Sequence, residues 1–216
     1  MEGFIFDLDG VIVDTAKYHF LAWKNLANSI GIEFTELQNE ELKGVSRIKS
    51  LEKILEWGNK TISETDFNLL MKRKNDEYLN YISTMDQSEL LPGVEDVLLE
   101  LQSANKPIAL GSASKNARFI LERTKLTRFF NAIVDGNDVT TAKPDPEVFI
   151  KAANLINVKP EQCVVFEDSV SGVKAANTAH MYAVGIGQQS VLFDAKEVFE
   201  GFSSMPSNFI KELIKK

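Results

Sequence analysis

Short apolar runs of strand length recur along this chain, and segments with helical spacing lie between most of them. The runs cover residues 3–8, 108–110, 132–134, 164–166 and 182–186. The helical segments cover residues 94–103, 116–123, 146–156 and 172–179. Apolar runs of this length are typical of buried parallel strands. Their alternation with helices predicts a doubly wound α/β fold, with a parallel sheet covered on both faces.

The region from residue 15 to residue 85 breaks this alternation. It contains no convincing strand, but it has helical patterns at 16–30, 47–56 and 64–82 and a weaker one at 36–42. Gly31 suits the C′ position of the first helix, and Ser63 suits the N-cap of the last. We expect a core domain of residues 1–14 and 86–216 with an inserted helical cap of residues 15–85. Because ligands of such folds bind at the carboxyl edge of the sheet, where the insertion emerges, the cap is positioned to act as a lid.

The composition excludes several classes of protein. With 24 basic and 31 acidic residues the net charge is −7, which argues against a nucleic-acid or anionic-membrane surface driven by positive charge. The single cysteine, Cys163, can form no disulfide within the chain, and its apolar run indicates a small buried hydrophobe. No stretch reaches the roughly 18 apolar residues of a membrane span, and the N-terminus lacks a signal-peptide pattern. We expect a cytoplasmic protein and, because its core is self-sufficient, a monomer.

Two carboxylates lie at the end of the first apolar run. Asp7 and Asp9 are separated by one residue, and Gly10 comes directly after them. Carboxylates at a buried strand end need a compensating charge. Mg²⁺ can supply it, since this hard cation prefers oxygen ligands. The alternative is an exposed Asp-Gly turn.

A second acidic pair, Glu167 and Asp168, follows the run at 164–166. By itself this pair could be the N-terminal region of the next helix. Beside Asp7 and Asp9 it has another interpretation, because parallel strands end at the same edge of a sheet. The acids can then converge on one metal ion, which would also hold the phosphate of a substrate.

Two further loops suit a phosphate group. After the run at 108–110 the chain continues with small hydroxyl residues, so Ser112 and nearby backbone N–H groups can receive phosphate oxygens. Ser114 could instead simply cap the next helix. Lys143 precedes Pro144, which favours an extended backbone at the lysine. Lys143 is thus a candidate cation for a nucleophilic carboxylate and a transferring phosphoryl group, the alternative being a solvated surface lysine.

The segments around Asp7, Ser112, Lys143 and Glu167 together resemble the four signature segments of the haloacid dehalogenase superfamily of phosphotransferases, in order along the chain. The resemblance implies that Asp7 is a nucleophile that becomes an aspartyl phosphate and that Asp9 is the general acid and base. It also implies one Mg²⁺ per subunit. The implied ligands are Asp7, the backbone carbonyl of Asp9, Glu167 and Asp168.

The cap segments 15–24, 42–47 and 72–76, with residues 113–116 of the core, closely resemble the β-phosphoglucomutase family, and the similarity weakens after about Gly187. Members of that family interconvert β-D-glucose 1-phosphate and D-glucose 6-phosphate through glucose 1,6-bisphosphate, the activating intermediate. The resemblance implies that Arg47 grips the phosphate that is not transferred. The implied catalytic residues are Asp7, Asp9, Thr15, His19, Lys74, Ser112 and Lys143, with Thr15, His19 and Lys74 coupling the cap position to the state of Asp9. The implied substrate-binding residues are Trp23, Lys43, Gly44, Val45, Ser46, Arg47, Ser112, Ala113, Ser114, Lys115, Asn116 and Lys143.

Ordinary packing or solvation is the alternative for several cap residues. His19 and Trp23 could be packing residues, Lys43 and Lys74 solvated charges, and Arg47 a first-turn helix residue. The nearest competing function is a phosphatase of the same superfamily that hydrolyses a small sugar phosphate, and a noncatalytic binding protein is a third. The combination of cap residues favours the mutase, whose phospho-aspartate must be protected from water, as a closing lid would do.

Overall fold

A parallel sheet forms the centre of the molecule. The computed structural model describes residues 1–43 and 45–216. Within these residues the sheet has six strands in the order β3-β2-β1-β4-β5-β6, and each neighbouring pair is parallel. The strands are β1 (Gly3–Phe6), β2 (Ile108–Gly111), β3 (Ala132–Val134), β4 (Cys163–Glu167), β5 (Tyr182–Ile186) and β6 (Glu197–Phe199). The predicted doubly wound α/β fold is confirmed, and β6 was not predicted.

Helices connect the strands and cover both faces of the sheet. In the described part of the chain they are α1 (Ala16–Ser29), α2 (Glu36–Glu40), α3 (Arg47–Trp57), α4 (Glu64–Ile82), α5 (Val94–Ser103), α6 (Ala117–Arg123), α7 (Glu147–Leu155), α8 (Val170–Thr178) and α9 (Phe209–Lys215), with 3₁₀ turns at Gln87–Glu89, Thr127–Phe129, Pro160–Gln162 and Phe202–Ser204. Helix α9 was not predicted. None of the helices in residues 1–43 and 45–216 combines the length and apolar character that crossing a membrane requires.

Alternate residues of each strand face opposite sides of the sheet, which gives the molecule two apolar layers. Phe4 and Phe6 pack with α5, α6 and α9 on one face. Ile5 packs with α7 and α8 on the other, where Cys163 is a buried member of the cluster as expected. Burying one such side chain contributes about 1.5–3 kcal/mol relative to leaving it exposed. The two layers therefore hold the sheet in register and fix where each strand ends.

Helices α1 to α4 follow β1, and α1, α3 and α4 pack around a third apolar cluster, which includes Trp23, Leu51 and Ile54. At their base, Ala22 and Tyr78 belong to the apolar cluster on the sheet face, so this cluster continues from the core into the inserted helices. The expected ends of two helices are confirmed. Gly31 follows α1 with a φ of +69°, and Ser63 Oγ accepts the Asp66 N–H at 3.1 Å at the start of α4. The bounds of a separate cap domain stay a prediction.

Strand β1 lies between β2 and β4. The strand order runs outward from β1 to β2 and β3 on one side, and to β4, β5 and β6 on the other. Such a reversal opens a crevice at the carboxyl ends of the two central strands. Asp7 follows β1, while Glu167 ends β4 and Asp168 follows it. The connectivity alone thus brings the two predicted acidic pairs to one place.

Candidate active site

Lys143 lies between two acids at the carboxyl edge of the sheet. Its Nζ is 2.6 Å from Asp7 Oδ1 and 2.7 Å from Glu167 Oε2. All three residues are buried, so the alternative of a solvated Lys143 is wrong. Burial raises the pKa of Asp7 to about 7, against the opposing effect of the Lys143 ammonium. Ser169 holds the other Glu167 oxygen by donating its N–H at 3.0 Å and its hydroxyl at 2.8 Å.

The carboxylates of Asp7, Glu167 and Asp168 form a cluster that could hold a cation. One oxygen from each lies within 4.8 Å of the others. Burial raises the pKa of Asp168 well above its ordinary value, and the charges of Glu167 and Asp7 add to this effect. A set of carboxylate oxygens with surplus negative charge fits a hard divalent cation. Among the described residues, the Asp9 side chain does not belong to this group, and its backbone carbonyl as a ligand stays a prediction.

A chain of polar contacts leads from Asp9 into the inserted helices. The Thr15 hydroxyl donates to Asp9 Oδ1, His19 Nε2 lies 3.9 Å from the same oxygen, and Lys74 Nζ lies 3.0 Å from His19 Nδ1. Burial lowers the pKa of His19 well below its usual value, and the Lys74 charge adds to this effect. A neutral His19 that accepts from Lys74 at Nδ1 carries its proton on Nε2, the nitrogen that faces Asp9.

Lys74 is buried between two aromatic rings. Its Nζ lies 4.8 Å from the Trp23 ring centroid and 4.6 Å from that of Tyr78. Burial lowers the pKa of Lys74 to about 7, with the Arg47 charge acting in the same direction. A solvated Lys74 is therefore wrong, and Trp23 both packs in the helical cluster and lines the cavity. Tyr78 was missed, although its position four residues after Lys74 on one helix could have indicated the contact.

A cavity of about 260 Å³ lies between the sheet edge and the inserted helices. Thr15, Ser112 and Glu167 lie outside its wall, and Gly44 lies outside the described residues. The predicted site residues on the wall are Asp7, Asp9, His19, Trp23, Lys43, Val45, Ser46, Arg47, Lys74, Ala113, Ser114, Lys115, Asn116, Lys143 and Asp168. Wall residues that the sequence did not indicate include Asn39, Ser50, Gly136 and residues 139–142.

The loop after β2 differs in detail from the prediction. The Ser112 N–H donates to Val134 O at 3.0 Å, so this N–H is already paired within the protein. Ser112 Oγ accepts the Ser114 N–H at 3.1 Å. The N-cap of α6 is Asn116 and not Ser114, because Ser114 Oγ accepts the Asn116 N–H at 3.3 Å and forms a turn before the helix. The Ser114 side chain lies on the cavity wall instead.

Glu147 holds the loop that leads to Lys143. Its Oε2 accepts the N–H groups of Thr140 and Thr141 at 2.9 and 2.7 Å and the Thr140 hydroxyl at 3.0 Å. Lys151 pairs with its other oxygen at 2.6 Å. The Lys151 contact is the main reason that the pKa of Glu147 falls to about 2. Glu147 was not predicted, although an acid in a first helical turn, after two threonines, is a usable signal.

The inserted helices touch the sheet edge at several points around the cavity. Lys43 Nζ lies 3.6 Å from Asp168 Oδ2, and the Ser171 hydroxyl donates to the Lys43 carbonyl at 3.4 Å. Ser46 caps α3 by accepting the Lys49 N–H at 3.4 Å. Arg47, the first residue of α3, is half-buried and has no carboxylate within 4.0 Å among the described residues. An arginine in this setting can bind an anion from the cavity.

This arrangement supplies the parts of a phosphoryl-transfer site. A buried carboxylate is held against an ammonium group, and a second carboxylate lies two residues further on. The first can attack phosphorus while the ammonium offsets negative charge. The second can exchange a proton with a substrate oxygen.

Known proteins share both the sequence and the fold of this chain. A model of the haloacid dehalogenase-like hydrolase family matches residues 1–180. A β-phosphoglucomutase from Bacillus subtilis is 42% identical over 98% of this chain and 95% of its own length. A phosphorylated carbohydrates phosphatase from Thermotoga maritima is 33% identical over 93% of this chain and 91% of its own length. The crystal structure of a β-phosphoglucomutase from Clostridium difficile superposes with a TM-score of 0.95, at 40% identity, and covers 100% of this chain and 97% of that one. The chain therefore belongs to the haloacid dehalogenase-like hydrolase family.

Proposed function

We propose that this protein is a β-phosphoglucomutase, which interconverts β-D-glucose 1-phosphate and D-glucose 6-phosphate through a phosphorylated Asp7 and glucose 1,6-bisphosphate. The observation that carries the proposal is that one and the same cavity is lined by a lysine-paired nucleophile, Asp7, and by Arg47, which has no carboxylate partner among the described residues. A mutase needs both features, because its bisphosphate intermediate carries two phosphates. One of them reacts with the nucleophile while the other must be held. The similarity to the Bacillus and Clostridium mutases supports the same choice.

In the proposed reaction, a carboxylate oxygen of Asp7 attacks the phosphorus of the bisphosphate, and the bond from phosphorus to the sugar oxygen breaks. Asp9 gives its proton to that oxygen. In the other half-reaction the free hydroxyl of the sugar monophosphate loses its proton to Asp9 and attacks the phosphorus of the phospho-aspartate, and the bond from phosphorus to the Asp7 oxygen breaks. Lys143 Nζ, 2.6 Å from Asp7 Oδ1, keeps the nucleophile oriented and offsets charge on the transferring group.

The carboxylates of Asp7, Glu167 and Asp168, with the Asp9 carbonyl, would hold one Mg²⁺. When bound, this ion neutralises charge on phosphate oxygens and on the acids around it. Arg47 would hold the distal phosphate, with Ser114, Lys115 and Asn116 assisting from the core side. Residues 44–46, Trp23 and Lys43 would surround the sugar.

The inserted helices would protect the phospho-aspartate from water. Their contacts through Lys43 and Ser171, and through Asn116 and Asn75 at 3.3 Å, close over the sheet edge beside the cavity. Thr15, His19 and Lys74 link helices α1 and α4 to Asp9, so the acid and base would be assembled together with the closed site. Excluding water separates transfer to sugar from hydrolysis.

A coupled assay tests the proposal. The purified protein is mixed with Mg²⁺, β-glucose 1-phosphate and a catalytic amount of glucose 1,6-bisphosphate, and glucose 6-phosphate and inorganic phosphate are followed together. We expect glucose 6-phosphate without matching phosphate release. Phosphate release alone would instead favour the phosphatase, as in the Thermotoga relative.

Asp7→Asn gives the matched control. An amide is a far poorer nucleophile than a carboxylate, so this variant should form neither glucose 6-phosphate nor a phosphoenzyme. Covalent phosphate on the variant, detected by intact-protein mass, would contradict the role of Asp7. If the Asp7→Asn variant still fulfilled the biological role of the protein, that result would favour a noncatalytic binding protein over an enzyme.

A further inference from the structure

One buried acid at the sheet edge has no part in the proposed reaction. Asp135 directly follows β3 and is 1% exposed, yet within residues 1–43 and 45–216 it belongs neither to the carboxylate cluster nor to the cavity wall. Its Oδ2 lies 3.1 Å from Arg118 Nε. Its Oδ1 accepts the backbone N–H of Asn137 at 2.8 Å and the side-chain Nδ2 at 3.0 Å. These contacts offset the cost of burying the carboxylate, and they fix Asn137 against the end of β3.

Asn137 links Asp135 to the loop after β2. Its Nδ2 also donates to the Lys115 carbonyl at 3.0 Å. Because a carbonyl oxygen accepts and never donates, this contact selects the amide orientation that puts Nδ2, and not Oδ1, against the loop. Beside this bond, the Gly136 N–H donates to the Ser114 carbonyl at 3.1 Å. Two successive carbonyls of the loop are therefore held by the turn that follows β3.

The turn and the loop also touch through their backbones. A Cβ built on Gly136 would overlap the Ala113 carbonyl oxygen, so only a glycine allows this approach. A trans peptide directs its N–H away from its C=O. Since the Ser114 carbonyl is directed at the turn, the Lys115 N–H is directed away from it, and among the described residues this N–H has no hydrogen-bond partner. It is thus available to an anion, and the loop that carries it lines the cavity.

We propose that Asn137 is a positioning residue for the phosphate that is not transferred. Held by Asp135, it keeps the Lys115 carbonyl at the turn and thereby keeps residues 114–116 in the shape that binds this phosphate together with Arg47. A loop that is already fixed loses less conformational freedom when it binds a ligand, which favours affinity. The inference rests on the proposed function, because it deepens the role given there to residues 114–116.

Asn137→Ala tests the inference, since it removes the amide at an exposed position. We expect KM for β-glucose 1-phosphate to rise about threefold to tenfold, the effect of losing one ordinary hydrogen bond, while kcat changes by less than about twofold. Phosphoenzyme formation from acetyl phosphate, followed by rapid quenching and intact-protein mass, should keep its wild-type rate, because this donor carries no second phosphate. A merely structural amide would instead change the melting temperature and leave KM as it is.

Two further variants complete the test. Asn137→Asp keeps the size of the side chain and replaces only the donor to Lys115, so KM should rise in the same direction. Asn177→Ala is the control, because Asn177 Nδ2 also donates to a backbone carbonyl, that of Asp194, at 2.9 Å. That bond lies at the C-terminal end of α8, whereas the acids of the site lie before its first residue. KM and kcat of the control should equal those of the wild type.

Three results would overturn the inference: an unchanged KM in both Asn137 variants, an equal loss of rate with acetyl phosphate, or the same rise of KM in Asn177→Ala. A wild-type protein that forms no glucose 6-phosphate would overturn the proposed function, and this inference with it. The two failures are distinguishable, because the wild-type assay decides the function and the variants decide the role of Asn137.

Discussion

Buried charge is concentrated at the residues where β1 and β4 end. Lys143 pairs with Asp7 and Glu167, yet Asp9 and Asp168 lie in the same crevice, so carboxylates outnumber the ammonium group that contacts them. Buried acids without partners are costly. The position of each carboxylate therefore depends on a few contacts with neighbouring groups. A substitution that displaces one of these groups should change divalent-ion affinity and the catalytic rate.

Gly172, in the first turn of α8, tests this dependence. A Cβ at this position would overlap the Glu167 carboxylate. Alanine favours a helix by about 1 kcal/mol over glycine, so helix propensity alone predicts a gain in stability for Gly172→Ala. We expect instead that Glu167 moves away from Lys143, with divalent-ion affinity and kcat each falling about tenfold or more. Calorimetric titration with Mn²⁺ and steady-state kinetics measure the two effects.

Gly201→Ala is the matched control for that substitution. Apart from its two chain neighbours, no described residue has an atom within 4 Å of a Cβ built on Gly201, and its φ of −179° is open to any residue. Its ion affinity and rate should equal those of the wild type. Wild-type affinity and rate in Gly172→Ala would contradict the role given to this glycine.

At the scale of secondary-structure elements, some helix ends could be predicted from the sequence and others could not. The sequence indicated Gly31 after α1 and Ser63 before α4, because each residue type has a local reason to be there. Lys125 and His180 take the same left-handed conformation after α6 and α8, with φ values of +59°. L side chains disfavour this conformation, so only the packing of the whole chain selects it.

Two elements that were not predicted, β6 and α9, lie near the C-terminus. Strand β6 is three residues long, lies at the edge of the sheet beside β5, and begins with the exposed Glu197, so it lacks an apolar run. Helix α9 does carry a signal, since Phe209, Ile210 and Leu213 are buried on one face. That spacing is helical and could have been recognised.

The residues of the candidate active site likewise fall into predictable and unpredictable ones. Its acids and Lys143 were predictable, because each lies in a short motif next to a strand or a proline. The burial of Lys74, the contact with Tyr78 and the support from Glu147 depend on which helix face meets which loop. These are tertiary facts, and residue types alone do not specify them.

Glu147 allows a prediction about a whole loop. Glu147→Gln keeps the size of the side chain but weakens the charge-assisted bonds to Thr140 and Thr141. The loop that carries Lys143 should become less well fixed, and we expect kcat/KM to fall about fivefold. Glu122→Gln, on the exposed side of α6, should leave it unchanged. Equal rates for both variants would count against the positioning role.

The same carboxylate gives this prediction a pH signature. The pKa of Glu147 falls from 4.5 to about 2 on folding, so its stabilising effect is present above pH 4.5 and is lost as the pH falls towards 2. The melting temperature of Glu147→Gln should lie below that of the wild type by a constant amount at neutral pH. Below pH 4.5 the gap should narrow, and a gap that widens there would contradict the assignment.

At the scale of the whole molecule, Lys43 joins the inserted helices to the acids of the sheet edge. Its Nζ lies 2.9 Å from Glu40 Oε2 and 3.6 Å from Asp168 Oδ2. Burial alone would lower the pKa of Lys43, but the Asp168 and Glu40 carboxylates raise it above its ordinary value. The inserted helices therefore bring a positive charge to the same carboxylate that would bind a divalent ion.

Lys43→Met should consequently bind divalent ions more tightly. The variant removes a cation that competes for Asp168 while keeping a long, flexible side chain on the cavity wall. We expect the Kd for Mn²⁺, measured by calorimetry without substrate, to fall several-fold, and the gain to shrink at high salt, where charge effects are screened. Lys49→Met is the control, because Lys49 pairs with Glu52 at 2.7 Å on the exposed side of α3, and its Kd should not change. An unchanged or weaker affinity in Lys43→Met would mean that the lysine and the ion do not compete for Asp168, and that the inserted helices do not influence ion binding through this contact.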